Sequence, residues 1–257
     1  MKLVKNLCPL FCGQSGPMSS LGFNLDPKGR LYGTYQPSSQ LACPSEHLVS
    51  LEELLSKSTS KSKRRALTDE DRYFLAITLA SSLLQLHTTP WLRGSWSKRD
   101  ILFSDTHEED SSVIDVRHPV ILNTHGCVVS EAASRVSTGR SQAYSDLMRD
   151  SASLLTLAKV LLEIKLNDQF ETQQQGEDLG TNSKPNEATD IRTLMRWITE
   201  EEGNLSFTYR NVVSHCIKCS VDPSTNLRDL VFRQTLVDRV VVPLLEELHI
   251  WQGGIDH

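Results

Sequence analysis

Two stretches of the chain are so apolar around their helical circumference that each must lie inside the fold. Residues 68–87 begin with Thr68 and three acidic side chains, typical of a helix start, and then carry apolar residues on two faces. In residues 150–166 the middle holds only two charges, Lys159 and Glu163, four positions apart as one narrow polar seam. A helix that is apolar on almost every side needs neighbours all round it. The sequence therefore predicts a mainly helical domain built around these two helices.

Two pairs of short apolar runs predict β-hairpins. The first pair encloses Asp26-Pro27-Lys28-Gly29, in which proline presets the backbone of the turn and glycine tolerates a positive φ. The second pair consists of residues 101–103 and 113–116, and the acidic residues 106–112 are expected to form the loop between them. The predicted fold class is therefore mainly α, of the α+β type, with an amino-terminal hairpin and a small second hairpin.

Further helices are indicated by start signals and by apolar periodicity. Ser50, followed three residues later by Glu53, predicts a capped short helix that ends near residue 55. Three more helices are expected over residues 191–201, 207–219 and 227–251, the last kinked or restarted at Pro243. The polar residues 173–190 are expected to form a mobile loop, because they include too few apolar side chains to order themselves.

Charge and composition exclude several classes of protein. The 257 residues carry a formal net charge of −5, so a nucleic-acid partner is not expected. The apolar run of residues 154–166 contains charges and is shorter than the ~20 residues of a bilayer span, so no membrane span is expected. The amino terminus lacks the long apolar core of a secretory signal. We expect a cytoplasmic protein with reduced cysteines, with the nucleus as the alternative compartment.

The order of these predicted elements resembles the larger lobe of a protein kinase, preceded by the last hairpin of the smaller lobe. Three segments also look like an uncharacterised fungal domain family: RYFLAITLASSLLQLHTTPWL (72–92), YRNVVSHCIKC (209–219) and FRQTLVDRVVVPL (232–244). That family is similar to a degenerate kinase lobe and accompanies prion-inhibition or HeLo-like modules in fungal self-recognition proteins. The resemblance implies a remnant of the smaller lobe in residues 1–45 and a kinase-lobe-like helical domain in residues 46–257.

The triplet Lys98-Arg99-Asp100 resembles by its letters the His-Arg-Asp of a kinase catalytic loop. If residues 86–87 end the long helix, however, the usual spacing puts Ser95 at the catalytic aspartate and Asp100 at the asparagine that precedes the next strand. The other register, with Asp100 as the catalytic aspartate, loses the apolar strand of residues 101–103. We prefer the first register, in which Ser95 has a hydroxyl that cannot accept a substrate proton at neutral pH.

Asp115 falls roughly where the resemblance puts a second metal-binding aspartate, so Asp100 and Asp115 are weak candidates for binding a Mg²⁺-nucleotide. No GxGxxG loop and no Val-Ala-Ile-Lys lysine precedes them. Both carboxylates are therefore expected mainly as loop or capping groups. The second buried helix is expected to lack its polar anchor, because Ser153 occupies the place of the aspartate found there in working kinases.

Cysteine spacing suggests a zinc site, although a core role is favoured. Cys216 and Cys219 are three residues apart beside His215, and thiolates at this spacing on a helix can share one ion. Cys8 and Cys12 form a second, looser pair. Because cysteine is among the most buried residues and no matched pair lies nearby, we expect no bound metal.

Two other features of the loops also have a functional and a structural interpretation. The basic run of residues 57–65 suits nuclear import, phosphorylation or an acidic partner, but a solvated loop is favoured. Trp91 and Trp96 bracket the catalytic-loop segment, and we expect them to anchor it to the core rather than to form a partner surface.

The sequence as a whole predicts a non-catalytic, pseudokinase-like protein-interaction domain in fungal signalling or self-recognition. It is expected to bind a protein partner and no cofactor. The alternative is an enzyme that retains Mg²⁺-nucleotide binding or phosphotransfer through Asp100 and Asp115.

Overall fold

The computed structural model describes residues 22–25, 31–35, 48–56, 67–87, 96–108, 111–121, 139–179 and 185–253. The chain divides into two compact units, Met1–Leu48 and Val49–His257. In the first unit, β1 (Gly22–Leu25) pairs antiparallel with β2 (Leu31–Tyr35), and Leu25 lies opposite Leu31. The predicted amino-terminal hairpin is thereby confirmed.

The remaining elements are mostly helical, with one small antiparallel sheet. They are, in chain order, β3 (Leu48–Ser50), α1 (Leu51–Leu55), α2 (Asp69–Leu86), β4 (Ile101–Glu108), β5 (Ser111–Ile114), β6 (Val120–Ile121), α3 (Gly139–Leu166), α4 (Phe170–Gln173), α5 (Glu187–Glu200), a 3₁₀ turn (Glu202–Asn204), α6 (Phe207–Val221), α7 (Leu230–Leu236), a π-helical segment (Val237–Val241) and α8 (Val242–Trp251). The predicted fold class, mainly α of the α+β type, is confirmed.

Both predicted capping boxes are present. Ser50 Oγ accepts from Glu53 N at 3.2 Å, and Glu53 Oε2 accepts from Ser50 N at 3.0 Å. Thr68 and Asp71 make the same reciprocal pair, each bond 3.1 Å long, at the start of α2. These bonds satisfy backbone N–H groups that the first helical turn leaves free, so the two helices begin where the sequence indicates.

The core is formed where α2, α3 and α6 pack together, as the apolar pattern of α2 and α3 predicted. Helix α2 buries residues on both its faces: Tyr73, Leu75, Ala76, Leu79, Ala80, Leu83 and Leu84. Tyr209 of α6 is fully buried and donates its hydroxyl to Leu161 O of α3 at 2.8 Å. Its ring meets Tyr73 edge-on, with centroids 5.7 Å apart. Burial on this scale fixes how the three helices pack.

The second hairpin differs from its prediction in length. Strand β4 continues to Glu108, and its residues Asp105 to Glu108 pair with Ile114 to Ser111 of β5. Most of the acidic stretch expected as a loop is therefore strand. Backbone pairing across the hairpin outweighs the weak strand preference of these polar residues. Near its beginning, β4 also pairs with β6, with Ile101 opposite Ile121, and the sheet order is β3-β4-β5.

Three helix boundaries also differ from the sequence-based prediction. Helix α3 begins at Gly139, eleven residues before the predicted start, because adding a turn to a formed helix costs little even for serine-bearing sequence. Helix α5 begins at Glu187, capped by Asn186. The break in the last helix is the π-helical segment that precedes Pro243. Proline cannot donate to the carbonyl of Arg239 and its ring crowds that carbonyl, and the wider π turn relieves the clash.

The expected mobile loop, residues 173–190, is anchored at residues 174–179, and its last residues form the start of α5. The side chain of Asp178 is buried and accepts from Gln175 N at 3.1 Å and from Thr193 Oγ1 at 3.0 Å. Arg196 Nη2 donates to the same carboxylate at 2.8 Å. Polar contacts thus order this segment without apolar burial, and a low content of apolar side chains does not reveal such contacts.

Candidate functional site

The turn that precedes β4 is closed by Asp100. Its Oδ2 accepts from the backbone N and from Oγ of Ser97, both at 2.9 Å, and its own N–H donates to Ser97 O at 3.1 Å. An aspartate that bonds the backbone three residues earlier fixes a turn locally. Asp100 therefore has the capping geometry that the sequence favoured for it.

Lys98, two residues earlier, is buried inside the same turn. It is 8% exposed, and its Nζ lies 2.6 Å from Glu163 Oε1 and 2.6 Å from Glu171 Oε2. Burial opposes the charged form of the lysine, but the two carboxylates outweigh burial and raise the pKa of Lys98. The ammonium group stays protonated and is directed into the domain.

Glu163 is the centre of this network. It is only 1% exposed, and its Oε1 accepts from Phe170 N at 2.7 Å as well as from Lys98. Burial raises the pKa of Glu163, while Lys98 and the Phe170 N–H oppose that rise. The polar seam predicted on α3 is divided between two partners, since Lys159 pairs instead with Asp190 of α5. One carboxylate thus joins α3, α4 and the turn before β4.

Arg99 completes the triplet at the surface. Its side chain is 75% exposed, and its Nε lies 2.7 Å from Glu52 Oε2 of α1. The backbone supports the same contact, because Glu52 N donates to Lys98 O at 3.3 Å. All three residues of Lys98-Arg99-Asp100 are therefore engaged with their own domain.

Asp115 lies just after β5 and also closes a turn. Its Oδ1 accepts from Arg117 N at 3.0 Å, and its Oδ2 is 2.8 Å from His118 Nδ1. Its own N–H donates to Ser104 O of β4 at 3.0 Å. Side-chain exposure of 45% leaves the carboxylate accessible to water. Asp100 and Asp115, the two candidate nucleotide-binding aspartates, thus both accept hydrogen bonds from residues close to them in the chain.

The space next to Asp100 is small. A cavity of about 20 Å³ lies between Asp100, Trp96 and Leu83. A single water molecule needs a cavity of roughly 10–15 Å³, so this one accommodates about one water. Trp96 packs against the core, which confirms its predicted role as an anchor.

Asp150 of α3 anchors this helix to the segment between α6 and α7, while the loss of a kinase-type anchor at Ser153 stays a prediction. Asp150 is 5% exposed, and its Oδ2 accepts from Leu227 N at 2.9 Å. Burial raises its pKa, and the Leu227 N–H opposes the rise. Asp150 precedes Ser153 by about one helical turn, so both lie on nearly the same face of α3.

The cysteines of α6 occupy the core. Cys216 is fully buried, Cys219 is 8% exposed, and Cys219 Sγ lies 3.6 Å from His215 Nε2. Burial raises the pKa of both thiols, and zinc requires the thiolate form. Within the described ranges, no three His, Cys, Asp or Glu side chains converge on one metal position. This environment supports the core role.

Several predicted features lie outside the described residues: Ser95, Trp91, Cys8, Cys12 and the basic run 57–65. The structure instead adds a feature that the sequence did not indicate. A groove of about 740 Å³ separates α6 from the segments α7 to α8. Its walls come from consecutive helices, and the basic residues that the sequence supplies to its lining are Lys218 and Arg239.

Comparison with known proteins gives a family without an assigned activity. In the part of the chain that the structure describes, no helix combines the length and the apolar character that crossing a bilayer requires. Among curated proteins, none matches the chain. A family model does: the one described as "Domain of unknown function (DUF7580)" matches residues 1–251. This chain therefore belongs to the DUF7580 family.

Proposed function

We propose that this DUF7580 domain is a non-catalytic, kinase-lobe-like protein-binding domain that acts in fungal signalling or self-recognition, in the cytoplasm. One observation carries the proposal. Each residue of the triplet that mimics a catalytic motif has a structural role: Lys98 in a buried ion pair, Arg99 in a surface pair and Asp100 in a turn. A catalytic or phosphate-binding side chain must face its substrate.

The two candidate aspartates support the same conclusion. Oxygens of both Asp100 and Asp115 already accept hydrogen bonds from neighbours three residues away or fewer. The cavity of about 20 Å³ beside Asp100 is far smaller than the 300 Å³ or more, roughly, of small-molecule sites. Binding a nucleotide there would require the turn to open.

The surface provides apolar groups suited to protein contacts. Five large apolar side chains on the carboxyl-terminal helices are at least 60% exposed: Phe207, Leu230, Val231, Ile250 and Trp251. Aromatic residues are enriched in protein interfaces, where they supply much of the binding energy. A partner that covers some of these side chains would remove apolar surface from water.

The alternative is a residual Mg²⁺-nucleotide-binding or phosphotransfer enzyme. One observation favours it: Asp115 remains 45% exposed, and its partner His118 is 82% exposed, so this carboxylate could exchange its partner for a metal. Asp100 and Asp115 would then be the ligands, with the phosphate grip supplied from elsewhere.

Thermal unfolding with and without millimolar ATP and Mg²⁺ separates these two functions. A ligand present at about 100 times its Kd adds ~2.7 kcal/mol of stability, a shift of several degrees in Tm. We expect no shift. A shift that Asp115→Ala abolishes, but that the matched turn variant Asp222→Ala retains, would establish the alternative.

The protein-binding half of the proposal needs its own measurement. The tagged chain is used to capture proteins from the native organism, with chemical cross-linking and mass spectrometry to identify the contacting residues. We expect cross-links from a partner to the exposed helices α6 to α8. Cross-links absent from this domain in repeated captures would contradict the proposal.

A further inference from the structure

The groove between α6 and the segments α7 to α8 is lined by apolar and basic side chains and by one carboxylate, Asp238. Its apolar lining includes Phe207 of α6, which is 70% exposed, and Pro243 of α8. Lys218 and Arg239 also line the groove, one from each wall. A volume of about 740 Å³ is within the range of binding clefts.

The two cations make no direct contact with a carboxylate in the described part of the chain. Neither the Lys218 nor the Arg239 side chain takes part in an ion pair or hydrogen bond there. Two carboxylates lie nearby: Asp238, which also lines the groove and accepts from Gln234 at 2.8 Å, and Asp222, whose pKa is lowered by Ser224 and by the charge of Lys218. The lining therefore holds two basic side chains against one carboxylate, and both basic side chains can still contact a group from outside.

His215 shows that both cations affect the same part of the groove. This residue lines the same groove, and its pKa is lowered by burial first and then by the charges of Arg239 and Lys218. Two like charges that act on one imidazole create a local positive potential. That potential contrasts with the formal net charge of −5 on the whole chain.

We propose that this groove binds an acidic, amphipathic segment of a partner protein. Apolar side chains of the segment pack against Phe207 and Pro243, and its carboxylates pair with Lys218 and Arg239. The inference rests on the proposed protein-binding function and specifies the partner. Charge complementarity selects this occupant, and the negative charge of the chain disfavours a nucleic acid, which needs a more extended basic face.

Peptide display on the intact chain tests this occupant even while the partner protein is unidentified. Random peptides of about 16 residues are selected on the immobilised protein, since four helical turns span a groove of this kind. We expect enrichment of Asp and Glu together with Leu, Phe or Trp spaced three or four residues apart. Enrichment of basic peptides, or of none, would overturn the proposal.

A charge-reversal variant tests the two cations directly. Fluorescence anisotropy measures the affinity of the best acidic peptide for the parent chain, for Lys218→Glu/Arg239→Glu and for the control Arg99→Glu/Arg117→Glu. Both control residues are more than half exposed, and both double variants change the net charge equally. Circular dichroism verifies that each variant is folded.

We expect the groove variant to bind at least about tenfold more weakly at low salt, and the control to stay within about twofold of the parent. A peptide with its acidic residues changed to lysine should recover binding to the groove variant. Equal affinity of all three proteins for the acidic peptide would overturn the proposal. Sedimentation that shows a dimer lost only in the groove variant would identify a second copy as the occupant and also overturn it.

These outcomes separate this inference from the proposed function. If a cross-linked cellular partner binds the groove variant as well as the parent, the groove assignment fails and the protein-binding function stands. If ATP and Mg²⁺ stabilise the chain through Asp115, the non-catalytic function fails whatever the groove binds.

Discussion

Lys98 Nζ and Glu163 Oε1 lie 2.6 Å apart, although 65 residues separate them in the chain. Both partners of this ion pair are almost fully buried, since the Lys98 side chain is 9% exposed and the Glu163 side chain is 2% exposed. It joins the turn before β4 to the buried helix α3. A residue that by sequence belongs to a catalytic-looking triplet is thus part of the framework of the core.

Removing Lys98 should be strongly destabilising. Lys98→Met leaves Glu163 buried without its counter-charge, which typically costs about 3–5 kcal/mol in free energy of unfolding. Urea denaturation measures the loss, and Arg99→Met, at an exposed pair, should lower the free energy of unfolding far less.

A second substitution tests whether the uncompensated charge is the cause. Glu163→Gln keeps an acceptor for Phe170 N but removes the charge, so adding it to Lys98→Met should recover part of the loss. If the double variant is as unstable as the sum of the single variants, the two side chains are not coupled.

Asp178→Asn should remove a contribution to stability that the parent chain has at neutral pH and loses in acid. Arg196, together with N–H and O–H donors, lowers the pKa of Asp178 to about 2. Its contribution is therefore complete above the unfolded pKa, near 3.8, and is lost as the pH falls toward about 2. We expect a loss of about 1 kcal/mol at neutral pH, with allowance for solvent screening, and convergence with the parent in acid.

The control for this prediction is Glu200→Gln. Glu200 is the exposed partner of Arg196, 2.7 Å away one turn along α5, and its removal should cost about 0.5 kcal/mol or less. Equal losses in the two variants would show that Arg196 does not stabilise Asp178 preferentially.

His87 should make the domain less stable below neutral pH. Its Nδ1 donates to Leu84 O at 3.0 Å, whereas its buried Nε2 has no hydrogen-bond partner among the described residues. Burial lowers the pKa of His87, so the unfolded chain binds a proton at a higher pH than the folded chain does. Stability should therefore fall as the pH drops below about 6.5.

His87→Gln retains a side-chain donor and removes the titrating group. The free energy of unfolding, measured by urea at several pH values between about 7.5 and 5.5, should change less with pH in this variant. His215→Gln should remove a separate part of the pH dependence of stability, because the pKa of His215 is lowered too. An unchanged pH dependence in His87→Gln would contradict the assignment.

Asp150→Ala should lower the free energy of unfolding by more than the removal of an exposed helix-capping aspartate does. The variant leaves the buried Leu227 N–H without its charged acceptor, and such bonds contribute about 1.5–3 kcal/mol. Asp229→Ala removes a carboxylate that accepts from Val231 N at the same 2.9 Å, but at an exposed helix start. Urea denaturation should show a loss nearer 1 kcal/mol for this control, roughly. Similar losses would mean that burial adds nothing to the Asp150 bond.

Features that depend on nearby residues could be predicted from the sequence. The capping boxes at Ser50 and Thr68 need only groups three positions apart. The burial of α2 and α3 is indicated by apolar residues on almost every side of each helix. The amino-terminal hairpin likewise follows from its central turn. In each case the sequence pattern that carries the prediction lies within one short stretch of the chain.

The candidate site could be predicted only in part. The spacing from the long helix indicated that Asp100 is not at the catalytic position. A capping role was favoured for it, and the bonds from Ser97 match that role. The burial of Lys98 could not be predicted, because a lysine in a polar stretch is normally solvated and its partners are on α3 and α4. The groove could not be predicted either, because its walls come from separate helices.

The sequence by itself determined most of the helices and both hairpins, where α1 and α2 begin, and which helices are central, because these depend on local hydrogen bonds and on apolar periodicity. Only the tertiary structure decided the roles of the charges. Whether Lys98, Asp150 and Asp178 are buried ion-pair and hydrogen-bond partners or solvated side chains depends on which distant groups the fold brings within 3 Å of them. In the low dielectric of the interior, those contacts outweigh the preference of a charge for water.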